Sequence, residues 1–358
     1  MAVTIKDIAK DTGLAVSTIS VVLNKKKTKI PISQDTKDRV WVSAKKLGYY
    51  PNLLARSLRS QKSYCIGIVF ASSFEEINDP NTSNILSGIG SVVDKTSYNL
   101  YMFSGYEYIK ERSLNAARGK MVDALIYFIY SRVYNYFHRE IAPELKKAEI
   151  PFIGVHYYQQ HIDTNCVCLQ PGRACQLACE HLASTGRQEL GFLDYFGGRS
   201  YAGQEMQEAF RTAVGKHDFS KHTYYQFNDF KHLVKPQRSD RLFLSGKTIA
   251  RSLVEKKELL NAYFISSDVV AAGFIEGLKE KGVSVPADVA IVGYGRMLGP
   301  FRGEDFITTV DCGYARCGEQ AAGKLLDMLE NGTPPAMEKV LQVEPRLIVR
   351  QSCGTNGN

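Results

Sequence analysis

Thr4-Ile5-Lys6-Asp7-Ile8-Ala9, followed by Gly13-Leu14-Ala15-Val16-Ser17-Thr18-Ile19-Ser20-Val21-Val22-Leu23-Asn24, decides the reading of this 358-residue chain. Ile5, Ile8 and Ala9 fall at i, i+3 and i+4, one face of a helix, and Thr4-x-x-Asp7 resembles a capping box, so a short helix is predicted from about Thr4. Gly13 ends it. Ile19, Val22 and Leu23 share one face of a second helix. A third helix, opened by Ser33 as N-cap, gathers Thr36, Val40, Ala44 and Leu47 before Gly48 closes it. Three short helices, the first two joined by a tight Gly-containing turn, predict a helix-turn-helix bundle.

If the second helix buries Ile19, Val22 and Leu23, its other face carries Val16, Ser17, Ser20, Val21 and Asn24. These are small side chains. They let a helix approach the floor of a DNA major groove, where valine can touch a thymine methyl and serine can bond either partner of a pair. The next segment, Asn24-Lys25-Lys26-Lys27-Thr28-Lys29, adds four positive charges suited to phosphates. Residues 1–62 hold ten Lys and three Arg against four Asp and no Glu, whereas the whole chain carries a formal +8. The positive excess therefore sits in this segment and the rest is nearly balanced, as expected where one end of a chain meets a polyanion.

Beyond the basic segment the pattern changes. Residues 65–70, 124–129, 151–155, 190–193, 262–265 and 289–293 are short apolar runs suited to buried parallel strands. Helical segments such as 85–96, 173–184 and 269–281 lie between them, an alternation that predicts open α/β sheets with ligand sites beyond the strand ends. The length allows two such sheets.

Other classes fit less well. The first residues have neither a charged n-region nor an apolar h-region, and no stretch approaches the ~18 apolar residues that span a bilayer, so the chain is expected to be cytoplasmic. Cys166-Val-Cys168 and Cys175/Cys179 beside His181 lack zinc-finger spacing and are expected to be buried free thiols, with no metal and no cofactor. His217, His222 and His232 are scattered through a polar stretch. No G-x-S-x-G, H-E-x-x-H or G-x-x-x-x-G-K-[ST] motif is present, so an enzyme is not expected. A secreted solute-binding protein would carry a signal peptide and lack the basic helical segment.

The opening segments, together with Leu47-Gly48-Tyr49-Tyr50-Pro51-Asn52, resemble the headpiece of the LacI/GalR (lac-repressor-like) family in order, spacing and content. The resemblance continues through Asp268-Val269-Val270-Ala271-Ala272-Gly273, Gly282–Val289, Thr308-Thr309-Val310 and Pro345–Arg350, covering nearly the whole chain. It implies a fold of three parts: a helix-turn-helix headpiece over 1–50, a hinge helix or linker over 51–62, and an effector-binding and dimerisation core over 63–355. That core is a two-lobed, periplasmic-binding-protein-like α/β structure. The chain crossings are expected near 163, 295 and 325, giving an N-subdomain of 63–163 plus 296–325 and a C-subdomain of 164–295 plus 326–355.

The resemblance also implies a homodimeric transcription regulator, most simply a repressor, on a near-palindromic double-stranded DNA operator. A small-molecule effector, by family habit a sugar or sugar derivative, would modulate it; control by a protein partner is the alternative. The DNA contacts implied are Thr4, Val16, Ser17, Thr18, Ser20, Val21, Asn24, Lys25, Tyr49, Asn52, Ala55, Arg56 and Leu58. Leu58 would be the hinge side chain wedged between base steps, which kinks the duplex. Effector contacts are implied for Asn81, Thr82, His156, Arg199, Asp268 and Tyr294. Two departures bear on specificity: Ala15 stands where Ser is common, and Val21 where the family often has Arg. Without that Arg a bidentate guanine contact, worth about 1–3 kcal/mol of discrimination, is missing. The pocket departs too, with Ser267 where Asn often precedes the acid, His156 and Gly295-Arg296 where acids are frequent, and Met206 where an Arg often grips ligand.

Overall fold

The computed structural model describes residues 3–23, 31–50, 61–70, 79–105, 108–129, 133–156, 164–197, 200–227, 229–230, 241–296, 305–332 and 340–354. The chain divides into two compact units, Met1–Ser63 and Tyr64–Asn358.

The first unit holds α1 (Ile5–Thr12), α2 (Val16–Leu23) and α3 (Gln34–Leu47). The Asp7 carboxylate accepts from the Thr4 amide at 2.8 Å and from its hydroxyl at 2.7 Å, which starts α1 at the predicted residue. Gly13, at φ 69°, closes it. At α3 the Ser33 hydroxyl accepts the Thr36 N–H at 3.2 Å. Ile8, Ile19, Val22, Leu23, Val40 and Ala44 make the core. So small a core buries little apolar surface, and polar ties reinforce it. Ser43 and Lys46 of α3 donate to the two carboxylate oxygens of Asp11 at 2.7 and 2.8 Å, and Arg39 donates to the Thr12 carbonyl at 2.8 Å.

The second unit contains β1 (Cys65–Phe70), α4 (Pro80–Val93), β2 (Asn99–Ser104), α5 (Ile109–Arg118), β3 (Ala124–Ile129), α6 (Ala142–Lys147), β4 (Phe152–His156) and β5 (Cys166–Leu169). It continues with α7 (Pro171–Ser184), β6 (Glu189–Asp194), α8 (Tyr201–Lys216), β7 (Lys221–Gln226), α9 (Arg241–Glu255), β8 (Ala262–Ile265), α10 (Asp268–Glu280) and β9 (Ala290–Tyr294). β10 (Thr308–Asp311), α11 (Tyr314–Asn331), β11 (Val340–Val343) and β12 (Arg346–Ile348) complete it. The first sheet has the order β11-β5-β4-β3-β1-β2 and the second β12-β10-β9-β8-β6-β7. Apart from antiparallel β12, every strand pairs in parallel. The central strands are buried end to end, as parallel sheets covered on both faces require.

The sheets correct the expected crossings. Cys166–Leu169 pairs with β4 and so belongs to the first lobe, which moves the first crossing from 163 to Gln170. Thr308–Asp311 pairs with β9 of the second lobe, so the next crossing is at 312–313 instead of 295. β11 returns to β5, and β12 to β10, placing the last crossing at 344–345 instead of 325. β5, β10 and β11 are four residues long and carry Cys, Thr, Asp or Gln in place of the unbroken aliphatic and aromatic run that makes the equally short β8 readable.

Each lobe is laced by helices in close contact. A Cβ at Gly88 of α4 would overlap the Ala315 carbonyl, and one at Gly318 of α11 would overlap the Ile85 carbonyl. These reciprocal glycines let the two backbones touch. Gly246 and Gly273 do the same between α9 and α10. Gly318→Ala is therefore expected to destabilise the core by about 1–3 kcal/mol in chemical denaturation, the usual range for overpacking. Gly90→Ala, where a Cβ meets open space in α4, should be neutral or stabilising.

Candidate nucleic-acid interface and ligand cleft

Helix α2 turns Ile19, Val22 and Leu23 inward and leaves Val16 45% exposed. Ser17 is exposed beside it, and Thr18, Ser20 and Val21 are half-buried. The outer face is thus short-chained, as the sequence indicated. Thr4 sits at the start of α1 with its hydroxyl committed to Asp7. Tyr49 packs half-buried against the headpiece core, and its amide donates to the Ala44 carbonyl at 2.8 Å. Burial raises its hydroxyl pKa. Asn24, Lys25, Asn52, Ala55, Arg56 and Leu58 lie outside the described residues.

In the second unit the parallel strands aim their C-terminal ends at the crossings, and the expected ligand residues gather there. Asp79 caps α4, its Oδ1 accepting the Asn81 N–H at 3.1 Å. Asp268 opens α10 after β8, and Tyr294 ends β9. His156 ends β4, its side chain outside the described set, and Arg199 lies outside it altogether.

Several of these residues are tied into the walls of the cleft. Asp268 is buried, accepts the Thr309 hydroxyl at 2.7 Å and lies where a Cβ on Gly293 would be. Thr82 and Tyr294 have no exposed surface. Tyr294 backs the rim, edge-on to Phe196 at 5.7 Å. Met206 is fully buried in the core of α8.

Sequence reasoning missed the residues that are most available. Tyr195 remains 39% exposed, set edge-on to Phe227 at 5.5 Å and to Phe196 at 5.8 Å. Burial raises its hydroxyl pKa, the Asp79 carboxylate of the first lobe adds to this, and Arg241 opposes it. Tyr134 of the first lobe meets Tyr201 of the second at 5.5 Å, again edge-on. Asp194 accepts the Tyr224 hydroxyl at 2.7 Å and the Phe196 amide at 2.8 Å, yet burial still raises its pKa. Among the described residues, Asn81 Oδ1 and the Ser267 hydroxyl are buried without hydrogen-bond partners. A buried polar atom of that kind favours a ligand that supplies the missing bond. The available signal was position: Asp194-Tyr195-Phe196 directly follow the apolar run 190–193, where open α/β sheets place ligands.

The thiols take no part in this rim. Cys166 and Cys168 lie in β5, and Cys175 and Cys179 on the inner face of α7, all buried and free. Burial holds the Cys166 and Cys175 thiols well above the usual range. Among the described residues no helix is long and apolar enough to cross a membrane.

The headpiece ties predict a pH response. Lys46 and Ser43 hold the Asp11 carboxyl below the ordinary aspartate value of 3.8, so its stabilisation is present above that pH and is lost as pH falls below it. Trp41, on α3 and 44% exposed, is the only tryptophan in the chain and reports this unit alone. Asp11→Asn is expected to lower the Trp41 fluorescence melting point at pH 7, with the difference from the parent shrinking towards pH 3.

Comparison with known proteins agrees with both units. Residues 4–52 match the lacI family of bacterial regulatory proteins, and residues 179–353 match a periplasmic binding protein-like domain. The HTH-type transcriptional repressor PurR of Photorhabdus laumondii subsp. laumondii is 26% identical over 353 residues, covering 98% of this chain and 96% of that protein. A lac repressor dimer bound to operator and the anti-inducer ONPF superimposes with a TM-score of 0.71 at 19% identity, covering 98% and 99% of the two chains. A CelR–cellobiose complex does so at 0.60 and 21% identity, covering 98% and 99%. With a lacI-type headpiece joined to a periplasmic-binding-protein-like core, the chain is a DNA-binding transcriptional regulator of the LacI family.

Proposed function

We propose that the chain is a cytoplasmic repressor that binds a near-palindromic operator as a homodimer and is modulated by a small molecule held between its lobes. The observation that carries the DNA reading is the short-chained outer face of α2 on a unit that holds the chain's positive excess. Such a face reads base edges while surrounding cations hold phosphates, and a two-fold dimer sets two such helices in successive major grooves. Relatives named as repressors, and the operator-bound lac repressor dimer, support this assignment.

A small molecule is favoured over a protein partner by an exposed Tyr195 ring and two buried, unpartnered polar atoms on the strand-end rims, features suited to a ring compound bearing hydrogen-bonding groups. A sugar or sugar derivative meets that description, as the cellobiose complex illustrates for this fold. The dimer reading draws on a groove of about 700 Å³ on the second lobe, lined by Phe243, Ala272, Ile275, Val283, Val285 and Phe306 among others. Its lining mixes these apolar side chains with Glu276 and Lys279, and we read a second copy as its occupant because a two-fold operator calls for one.

Selection of bound DNA from a random duplex pool at moderate salt tests the function. A palindrome should be enriched, and Leu58→Ala should weaken binding to it; sequence-independent, salt-sensitive binding alone would contradict the reading. Ile275→Asp is expected to shift the protein from dimer to monomer in sedimentation velocity and to weaken palindrome binding with it.

A further inference from the structure

The lobes are joined by three crossings of one or two residues each: Gln170, residues 312–313 and residues 344–345. All three meet around two side chains. Gln170 donates through Nε2 to the Glu344 Oε1 at 3.0 Å and to the Val343 carbonyl at 3.4 Å, linking the first crossing to the third. Arg316, in the first turn of α11, donates to the Glu344 carbonyl at 2.9 Å. Its other terminal nitrogen lies 3.8 Å from Asp311, at the end of β10, where the second crossing begins. Asp311 also accepts the Gly313 N–H at 2.7 Å and lies 3.9 Å from Arg296.

The guanidinium occupies a place made for it. Gly313 has φ 78°, and a Cβ there would stand 2.7–2.8 Å from the Arg316 guanidinium atoms. Glycine thus both allows the left-handed turn and leaves room for the cation to lie across the crossing. Arg316 is only partly exposed, so its bond to a backbone carbonyl is less open to competition from water than a surface pair. Hinge motions between domains are absorbed by a few residues at the ends of elements, and here those residues are already fastened together.

We propose that Arg316 is a positioning residue that sets the angle between the lobes by fastening the second crossing to the third. Gln170 completes the clasp from the first. Loss of the Arg316 bonds frees two of the three connections to turn independently, so the lobes sample a wider range of angles and any ligand-driven closure passes less directly to the headpiece. The regulatory consequence rests on the cleft being the effector site; the lobe angle does not, and it is read without DNA or ligand.

The test uses the full chain with Cys65→Ser and spin labels on Asn115→Cys of the first lobe and Thr212→Cys of the second, both exposed helix positions. Pulsed dipolar spectroscopy then gives the distance between lobes. Arg316→Met is expected to shift and widen the distribution, and Arg316→Lys, which keeps a cation able to reach the Glu344 carbonyl, to restore most of the parent width. A distribution for folded Arg316→Met that superimposes on the parent would overturn the proposal. Equal widening in Met and Lys variants that tracks loss of melting temperature would also overturn it, by assigning Arg316 to general packing. Failure of operator selection, by contrast, would leave the distance result standing.

Discussion

Everything in the larger unit depends on the chain passing between two sheets three times, through one or two residues at each passage. The crossings leave from the C-terminal ends of β5, β10 and β11, and the strands of each sheet are parallel except β12. Both rims of strand ends therefore face the crossings, and a cleft between them follows from topology alone. Asp79, Asp194, Tyr195 and Ser267 stand on those rims because each ends a strand, follows one or opens the helix after one. Side-chain chemistry then sets what the cleft can hold: the aromatic wall at Tyr195 and Phe227 offers area, and the unpartnered atoms of Asn81 and Ser267 offer direction.

The smaller unit solves a different problem. A six-residue core gives limited hydrophobic stabilisation, and helix caps and α1–α3 ties add to it. Thr4 and Asp7, Ser33, Gly13 and Asp11 each supply one. These ties lie on α1 and α3, and on α2 the exposed Val16 and Ser17 stand outside the core.

The headpiece was legible in the sequence because its boundaries are chemical: caps and left-handed glycines mark α1 and α3 at nearly the residues observed. β1, β3, β6, β8 and β9 were legible because burial on both faces demands unbroken apolar runs. β2 and β7 were not, since edge strands such as Asn99–Ser104 and Lys221–Gln226 keep polar or exposed residues. The crossings were misplaced for a related reason: β5, β10 and β11 are short and carry Cys, Thr, Asp or Gln within them. In the cleft, Asp268 was found through resemblance, but its commitment to Thr309 depends on a contact 41 residues away that no local pattern records. Tyr195 was overlooked because an aromatic after an apolar run reads as more core until the sheet ends there.

The most direct test of the account is the affinity of the full chain for its selected palindrome against a scrambled duplex of equal length and composition, followed by Trp41 fluorescence at physiological salt. A regulator that reads bases through α2 should favour the palindrome by at least about 10³. Equal affinity for the two duplexes, with the same steep salt dependence, would mean that the headpiece senses only phosphate charge and that α2 reads no bases.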